Sequence, residues 1–279
     1  MLKTRIITAL ILAPIAVFGI FFLPPLGFAL FTGAIITIGA WEWANMAGLT
    51  GQPQRVGYAA AMALVLYLLW HAHSGVVLWL AFAWWVACFF LVRAYPSAAA
   101  YWKPAPVRCA LGVLVLVPAW VGLNHLRTGT VDFGEVSNSL LLILYVFFIV
   151  WVADIGAYFA GRAFGKSKLA PRVSPGKSWA GVWGGLAAVT LLALITSYLV
   201  TASGFETLLL VIASLITGLF SVLGDLLESM FKRARGIKDS SQLLPGHGGI
   251  MDRIDSLTAA IPLFALLVTQ LGWLRAGVG

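Results

Sequence analysis

"MLKTRIITALILAPIAVFGIFFLPP", residues 1–25, begins with basic residues and runs into apolar sequence, as a secretory signal peptide would. The residues after it decide otherwise. No small-residue cleavage site comes after the run, which passes through "LPPLGF" (23–28) into a second apolar stretch. A retained first helix is expected. Comparable charge-free stretches recur to the end of the chain. Of the 279 residues 61% are hydrophobic and only 10% charged, and the mean hydropathy is +0.96. A soluble globule is about half apolar and a quarter charged. Each run can cross a hydrocarbon core of ~30 Å as a helix of roughly 20 residues. A transmembrane barrel would alternate over ~10-residue segments, which these continuous runs do not. The fold class is therefore all-α, a polytopic helical membrane protein.

The expected spans are 5–23, 26–46, 57–71, 75–93, 107–125, 138–160, 179–201, 205–228 and 255–274, about nine transmembrane helices. With the N-terminus cytoplasmic, sixteen of the eighteen Lys and Arg fall on the cytoplasmic side, from Lys3 and Arg5 to Arg253. Only Arg127 and Arg275 fall elsewhere, which satisfies the positive-inside rule. The chain divides into a scaffold of N-terminal helices, 1–125, and a second half, 126–279. That half carries two polar cytoplasmic loops, 161–178 and 229–254. Cys88 and Cys109 read as small buried hydrophobes. His71 and His73, two apart with no third ligand near in sequence, do not suggest a metal site. The numerous tryptophans read as interface anchors and packing.

Acids in or beside membrane spans need a reason, because a charge at mid-bilayer costs about 2.5–3.5 kcal/mol on insertion scales. Asp154 lies near the cytoplasmic end of the sixth expected span, Asp225 and Glu228 near that of the eighth, and Asp252 and Asp255 open the ninth. Asp225, Glu228 and Ser229 share a helix face by their i, i+3 and i+4 spacing. The acids that begin the ninth helix are favoured by its dipole, whereas those that end the eighth oppose theirs. Glu228 has Lys232 at i+4; Asp225 has no local partner. Carboxylates gathered beside water suit Mg²⁺, which keeps waters and completes its shell with substrate phosphates. No soft-ligand set competes. An ion-coupled transport pathway and structural pairing stay open as alternatives.

The loops look made for phosphate. "PGHGG" (245–249) can turn sharply and offer N–H groups to an oxyanion, ahead of a helix N-terminus. His247 could donate to a phosphate oxygen or cap a carbonyl. Lys232, Arg233, Arg235, Lys238 and Arg253 supply positive charge. "GKS" occurs at 165–167 and 176–178, but the glycine a P-loop needs five positions earlier is Ala160 or Pro171, so that motif is rejected.

The stretch "SMFKRARGIKDSSQLLPGHGGIMDRID" (229–255) resembles the signature of the phosphatidate cytidylyltransferase (CDP-diacylglycerol synthase) family, bacterial type. The positions that carry the resemblance are Ser229, Lys232, Arg233, Lys238, Asp239, Pro245, His247, Gly248, Gly249, Asp252, Arg253 and Asp255. The stretch 153–181 is similar to the family's second motif region, departing at Gly176 and Ala180, where Lys and Glu are commoner. The resemblance implies an integral membrane enzyme that joins phosphatidate to CTP, releasing pyrophosphate. It implies Mg²⁺ as cofactor, with a second, monovalent cation compatible. It also implies no nucleic-acid partner, membrane lipids as surroundings, room for a homodimer, and a bacterial inner (cytoplasmic) membrane with the site facing the cytoplasm. Under it, Asp225 and Asp252 are the main metal carboxylates, with Asp255 and Glu228 beside them. Lys232, Arg233, Lys238 and Arg253 hold phosphate, while Asp154, Ser174 and Lys177 complete the cleft. Ser229, His247, Gly248 and Gly249 belong to its substrate-binding set. A CDP-alcohol phosphotransferase is the nearest enzymatic rival, but its signature has Asp-Gly and two Asp four apart, whereas here Asp252 and Asp255 are three apart and Asp-Gly is absent. A cation-coupled transporter using the same carboxylates is the alternative from another class.

Overall fold

The computed structural model describes residues 2–70 and 74–275; His71 and His73 lie outside the described residues. The chain is mostly helical. In order come α1 (Leu2–Phe21), α2 (Pro25–Ala47), α3 (Gln52–Leu69), α4 (Ser74–Arg93), a single turn α5 (Ala99–Trp102) and α6 (Ala105–Thr128). A two-residue strand β1 (Thr130–Val131) leads to α7 (Leu140–Phe164), the hairpin β2 (Lys168–Ala170) and β3 (Ser174–Ser178), and α8 (Trp179–Leu199). The chain ends with α9 (Gly204–Arg235), α10 (Met251–Gln270) and β4 (Leu274–Arg275), which pairs antiparallel with β1. Six of these helices, α2, α4, α6, α7, α8 and α9, are long and apolar enough on their own to cross a membrane.

The expected loops are shorter than their polar composition suggested. Ser229 to Arg235 are helical, so the second loop begins at Gly236 rather than 229. Nothing breaks the helix before that glycine, whose φ of 77° forms a left-handed cap. Lys232, Arg233 and Arg235 in the last turn also complement the helix dipole. Likewise α7 continues to Phe164, and the rest of the first loop is not coil but the β2–β3 hairpin. The third expected span gains its first turn, because Pro53 sits at a position where a helix start loses nothing by lacking an N–H.

The last helix lies at the centre. From Ser256 to Leu266 every residue of α10 is buried, with Ala259, Ala260, Phe264 and Ala265 fully so. It packs on α4, α6, α7 and α9. A helix wrapped by protein can carry polar residues at its ends without facing lipid. By contrast Leu64, Tyr67, Leu80, Leu194 and Tyr198 point outward and are all more than 45% exposed, as lipid-facing side chains are. Cys88 is buried, Cys109 partly so, and both are free.

Helices α7 and α8 approach until their backbones touch, which small residues permit. A Cβ on Gly156 would lie 2.6 Å from the Gly184 carbonyl oxygen, and one on Gly184 would overlap the Ala160 Cβ. Gly184→Leu is therefore expected to separate the two helices and destabilise the protein by about 1–3 kcal/mol, the usual cost of overpacking. A lowered unfolding midpoint in detergent would register it; an unchanged midpoint would mean that the contact is not tight.

Candidate functional site: an acid–lysine cleft

The ends of α9 and α10 meet because Gly224 has no side chain: a Cβ there would lie 2.5 Å from the Asp255 carbonyl oxygen. This contact sets Asp225, Glu228 and Lys232 of one helix against Asp252 and Asp255 of the other. Lys232 Nζ lies 2.7 Å from Glu228 Oε2 and 2.7 Å from Asp252 Oδ1. The two carboxylate side chains are only 1% and 6% exposed. At the same time Asp252 Oδ2 accepts the N–H of Gly249 at 2.8 Å and that of Ser240 at 2.9 Å. Asp252 precedes the apolar part of its helix. Burial opposes its ionisation, but the Lys232 ammonium and the two backbone N–H groups outweigh that and hold its carboxyl below the usual range.

Glu42 was not anticipated as a site residue. It is fully buried on α2. Its carboxylate accepts Ile250 N–H at 3.0 Å, Met251 N–H at 2.6 Å and Ser241 Oγ at 2.5 Å. Ser240 Oγ lies within hydrogen-bond distance of both Glu42 Oε2, at 3.1 Å, and Asp252 Oδ2, at 2.9 Å. The N-terminus of α10 thus already meets an anion from its own chain. Glycine is required at 249, since a Cβ would sit 2.5 Å from Glu42 Oε1 and overlap Ser240 Oγ. Gly248, with φ +82°, would bring a Cβ to 2.7 Å from Asp252 Oδ2. One signal was available in the sequence: a lone acid in "AWEWANMAG" (40–48) demands buried donors.

The hairpin supplies the partner that Asp225 lacked in sequence. Lys177 Nζ reaches Asp225 Oδ2 at 2.8 Å, and Ser229 Oγ donates to Asp225 Oδ1 at 3.1 Å. Beside this pair opens a cavity of about 380 Å³ bordered by Asp154, Arg162, Lys177 and Asp225, with apolar walls from Val182, Leu186 and Val222. Ser174, at the far end of β3, does not border it. Arg233 Nε donates to the Val173 carbonyl at 3.3 Å, bracing the hairpin turn. Lys238 and Arg253 are exposed at the mouth of the second loop. His247 N–H donates to the Leu244 carbonyl at 2.9 Å, while its Nδ1 is buried with no partner among the described residues.

The donor set suits a hard divalent cation. Among the described residues Asp225 pairs with Lys177, and Glu228 and Asp252 share Lys232, with Asp154 and Asp255 as further carboxylates beside them. Buried Glu228 meets the Asp255 carboxyl as well as Lys232. Among the described residues no three His, Cys, Asp or Glu side chains converge as a ready-made metal cage. Magnesium needs none, because it completes its shell with water and phosphate oxygens.

Fold and site together define a helical membrane protein with an acid–lysine cleft at one end of its bundle, arranged for phosphate chemistry. The model of the cytidylyltransferase family matches residues 3–271, and the chain belongs to that family. It is 52% identical over 275 residues to phosphatidate cytidylyltransferase of Pseudomonas aeruginosa, covering 98% of this chain and 99% of the relative. Against the protein of the same name from Haemophilus influenzae it is 42% identical, covering 95% and 98% of the two chains. Against that from Brucella suis it is 36% identical, covering 95% and 92%. The transporter alternative finds no support in these likenesses.

Proposed function

We propose that the chain is a CTP:phosphatidate cytidylyltransferase. A phosphate oxygen of phosphatidate attacks the α-phosphorus of CTP, a new P–O bond forms, the α–β anhydride bond breaks, and pyrophosphate leaves with CDP-diacylglycerol as the lipid product. The observation that carries this reading is the 52% identity, spanning 98% of the chain, to a phosphatidate cytidylyltransferase. The lipid phosphate is itself the nucleophile, so no Ser or Cys nucleophile is required.

The residues have complementary tasks in this proposal. Lys177 and Arg162 meet phosphate at the cavity, whose apolar wall accommodates the glycerolipid. Arg233, Lys238 and Arg253 attract the triphosphate from the aqueous side, with His247, Gly248 and Gly249 forming the turn at its edge. Asp225 and Asp252 are the principal metal carboxylates, with Glu228 and Asp255 beside them. Asp225 is the more open, its side chain 30% exposed against 6% for Asp252. Magnesium, when bound, supplies neutralisation of the phosphates and stabilisation of charge developing at the α-phosphorus. The surplus of acids leaves room for a monovalent cation as well. Lys232 holds Glu228 and Asp252 together, fixing the distance between the helices that carry them.

We also assign about nine transmembrane helices to a bacterial inner membrane, adding α1, α3 and α10 to the six that qualify by composition. Residues 1–125 serve as scaffold and 126–279 as the catalytic half. The N-terminus and the cleft face the cytoplasm, supported by the distribution of basic residues. A homodimer is compatible with this arrangement.

The test uses purified protein with labelled CTP, phosphatidate and Mg²⁺. Label is expected to enter the lipid phase with an equal amount of pyrophosphate released. If label stays aqueous and no pyrophosphate appears, the assignment fails.

A further inference from the structure

We infer that Glu42, from the scaffold half of the chain, is a positioning residue for the cytidylyl transfer, acting through Ser240 on Asp252 and Lys232. The inference rests on the proposed cytidylyltransferase function, and goes beyond it by giving α2 a part in catalysis.

A carboxylate buried on an apolar helix persists only if donors replace its water. Glu42 has four: the Ile250 and Met251 N–H groups and the Ser240 and Ser241 hydroxyls. None comes from α2 itself. All belong to the second loop and the start of α10, so the satisfaction of Glu42 requires the loop to be folded in one way. From there the connection is continuous. Ser240 has a single hydroxyl proton and two carboxylates, Glu42 and Asp252, within reach of its oxygen. Its N–H and that of Gly249 fix Asp252 Oδ2, and Asp252 Oδ1 in turn fixes Lys232, which also holds Glu228. Six side chains, from α2, α9 and the second loop with the start of α10, therefore share one network, with Glu42 at its buried end and the cleft at the other. Thr8 Oγ1, donating to the Pro245 carbonyl at 2.9 Å, braces the same loop from α1.

Glutamine at position 42 keeps the shape but turns one acceptor oxygen into an NH₂ donor facing donors. The loop must then shift, and Asp252 with it. The experiment compares Glu42→Gln, Asp252→Asn and the double variant in purified, monodisperse form, measuring kcat, the KM for CTP and the thermal midpoint. Glu42→Gln is expected to lower kcat about 10- to 100-fold while the KM for CTP moves less than about threefold, as for a group that acts on the transition state rather than on binding. The double variant should lose little more than Asp252→Asn alone, because residues in one network are not additive. A merely structural Glu42 would lower the midpoint but leave kcat per folded molecule unchanged, with additive losses, and that result overturns the inference. If Glu42→Gln does not fold, Ser240→Ala decides: it removes the shared hydroxyl yet leaves the backbone donors, and a kcat within twofold of the parent overturns the inference. Full activity in Asp252→Asn would instead overturn the assignment of the site, so the two failures are distinct.

Discussion

Lys232→Met is expected to abolish measurable cytidylyl transfer and to destabilise the fold by about 3–5 kcal/mol, the cost of breaking a buried ion pair from one side. The ammonium is shared at 2.7 Å by Glu228 and Asp252, which are almost without solvent. Methionine fills much the same volume but leaves two carboxylates buried face to face, with Asp255 beside Glu228 as a third. The protein must then either protonate them or open the junction of α9 and α10. Activity should fall at least about 100-fold, the scale for removing one preorganised charge beside a reacting phosphate. The two effects can be separated. Activity per folded molecule, measured in Lys232→Met well below its unfolding midpoint, should stay at least about 100-fold down. If activity per folded molecule is near that of the parent, Lys232 is only a structural counter-ion.

Much of the bundle is legible in the sequence because a membrane span is a local property: some twenty apolar residues identify it without reference to the rest of the chain. Where helices extend beyond the apolar run, the criterion fails. Ser229 to Arg235 are helical because Gly236 is the first residue able to stop them, yet their polarity reads as loop. The β2–β3 hairpin was hidden for a similar reason, its Lys, Ser, Pro and Gly residues being those of an irregular connection. Within the site, local spacing revealed the pair of Glu228 with Lys232. It could not reveal Lys177 with Asp225, forty-eight positions apart and joined only when the hairpin folds over α9. The same holds for Glu42, whose serine partners are 198 and 199 positions away. The turn of Gly248 and Gly249 was conspicuous as sequence, but its packing against Glu42 and Asp252 depends on α2. Residue types that carry chemistry were visible one by one; their partners were set by tertiary approach.

That distinction bears on Asp225, for which charge and shape can be tested separately. Asp225→Asn keeps the side-chain outline and can still accept the Ser229 hydroxyl now at 3.1 Å. It loses the charge that meets Lys177 at 2.8 Å and that the metal reading requires. Because both partners of this ion pair are substantially exposed, at 24% and 30%, its contribution to stability is less than about 1 kcal/mol, and the unfolding midpoint should hardly move. Transfer activity is expected to fall at least about 100-fold at a fixed Mg²⁺ concentration. The Mg²⁺ needed for half-maximal rate should rise about tenfold, corresponding to roughly 1.4 kcal/mol of lost cation binding. Lys177→Met gives the control. It removes the other half of the pair without removing a metal oxygen, so it should weaken phosphate binding and leave the Mg²⁺ requirement within about threefold of the parent. Near-normal activity of Asp225→Asn at low Mg²⁺ would mean that this carboxylate does no more than anchor the hairpin, and the metal would then have to be held by the acids nearer Lys232.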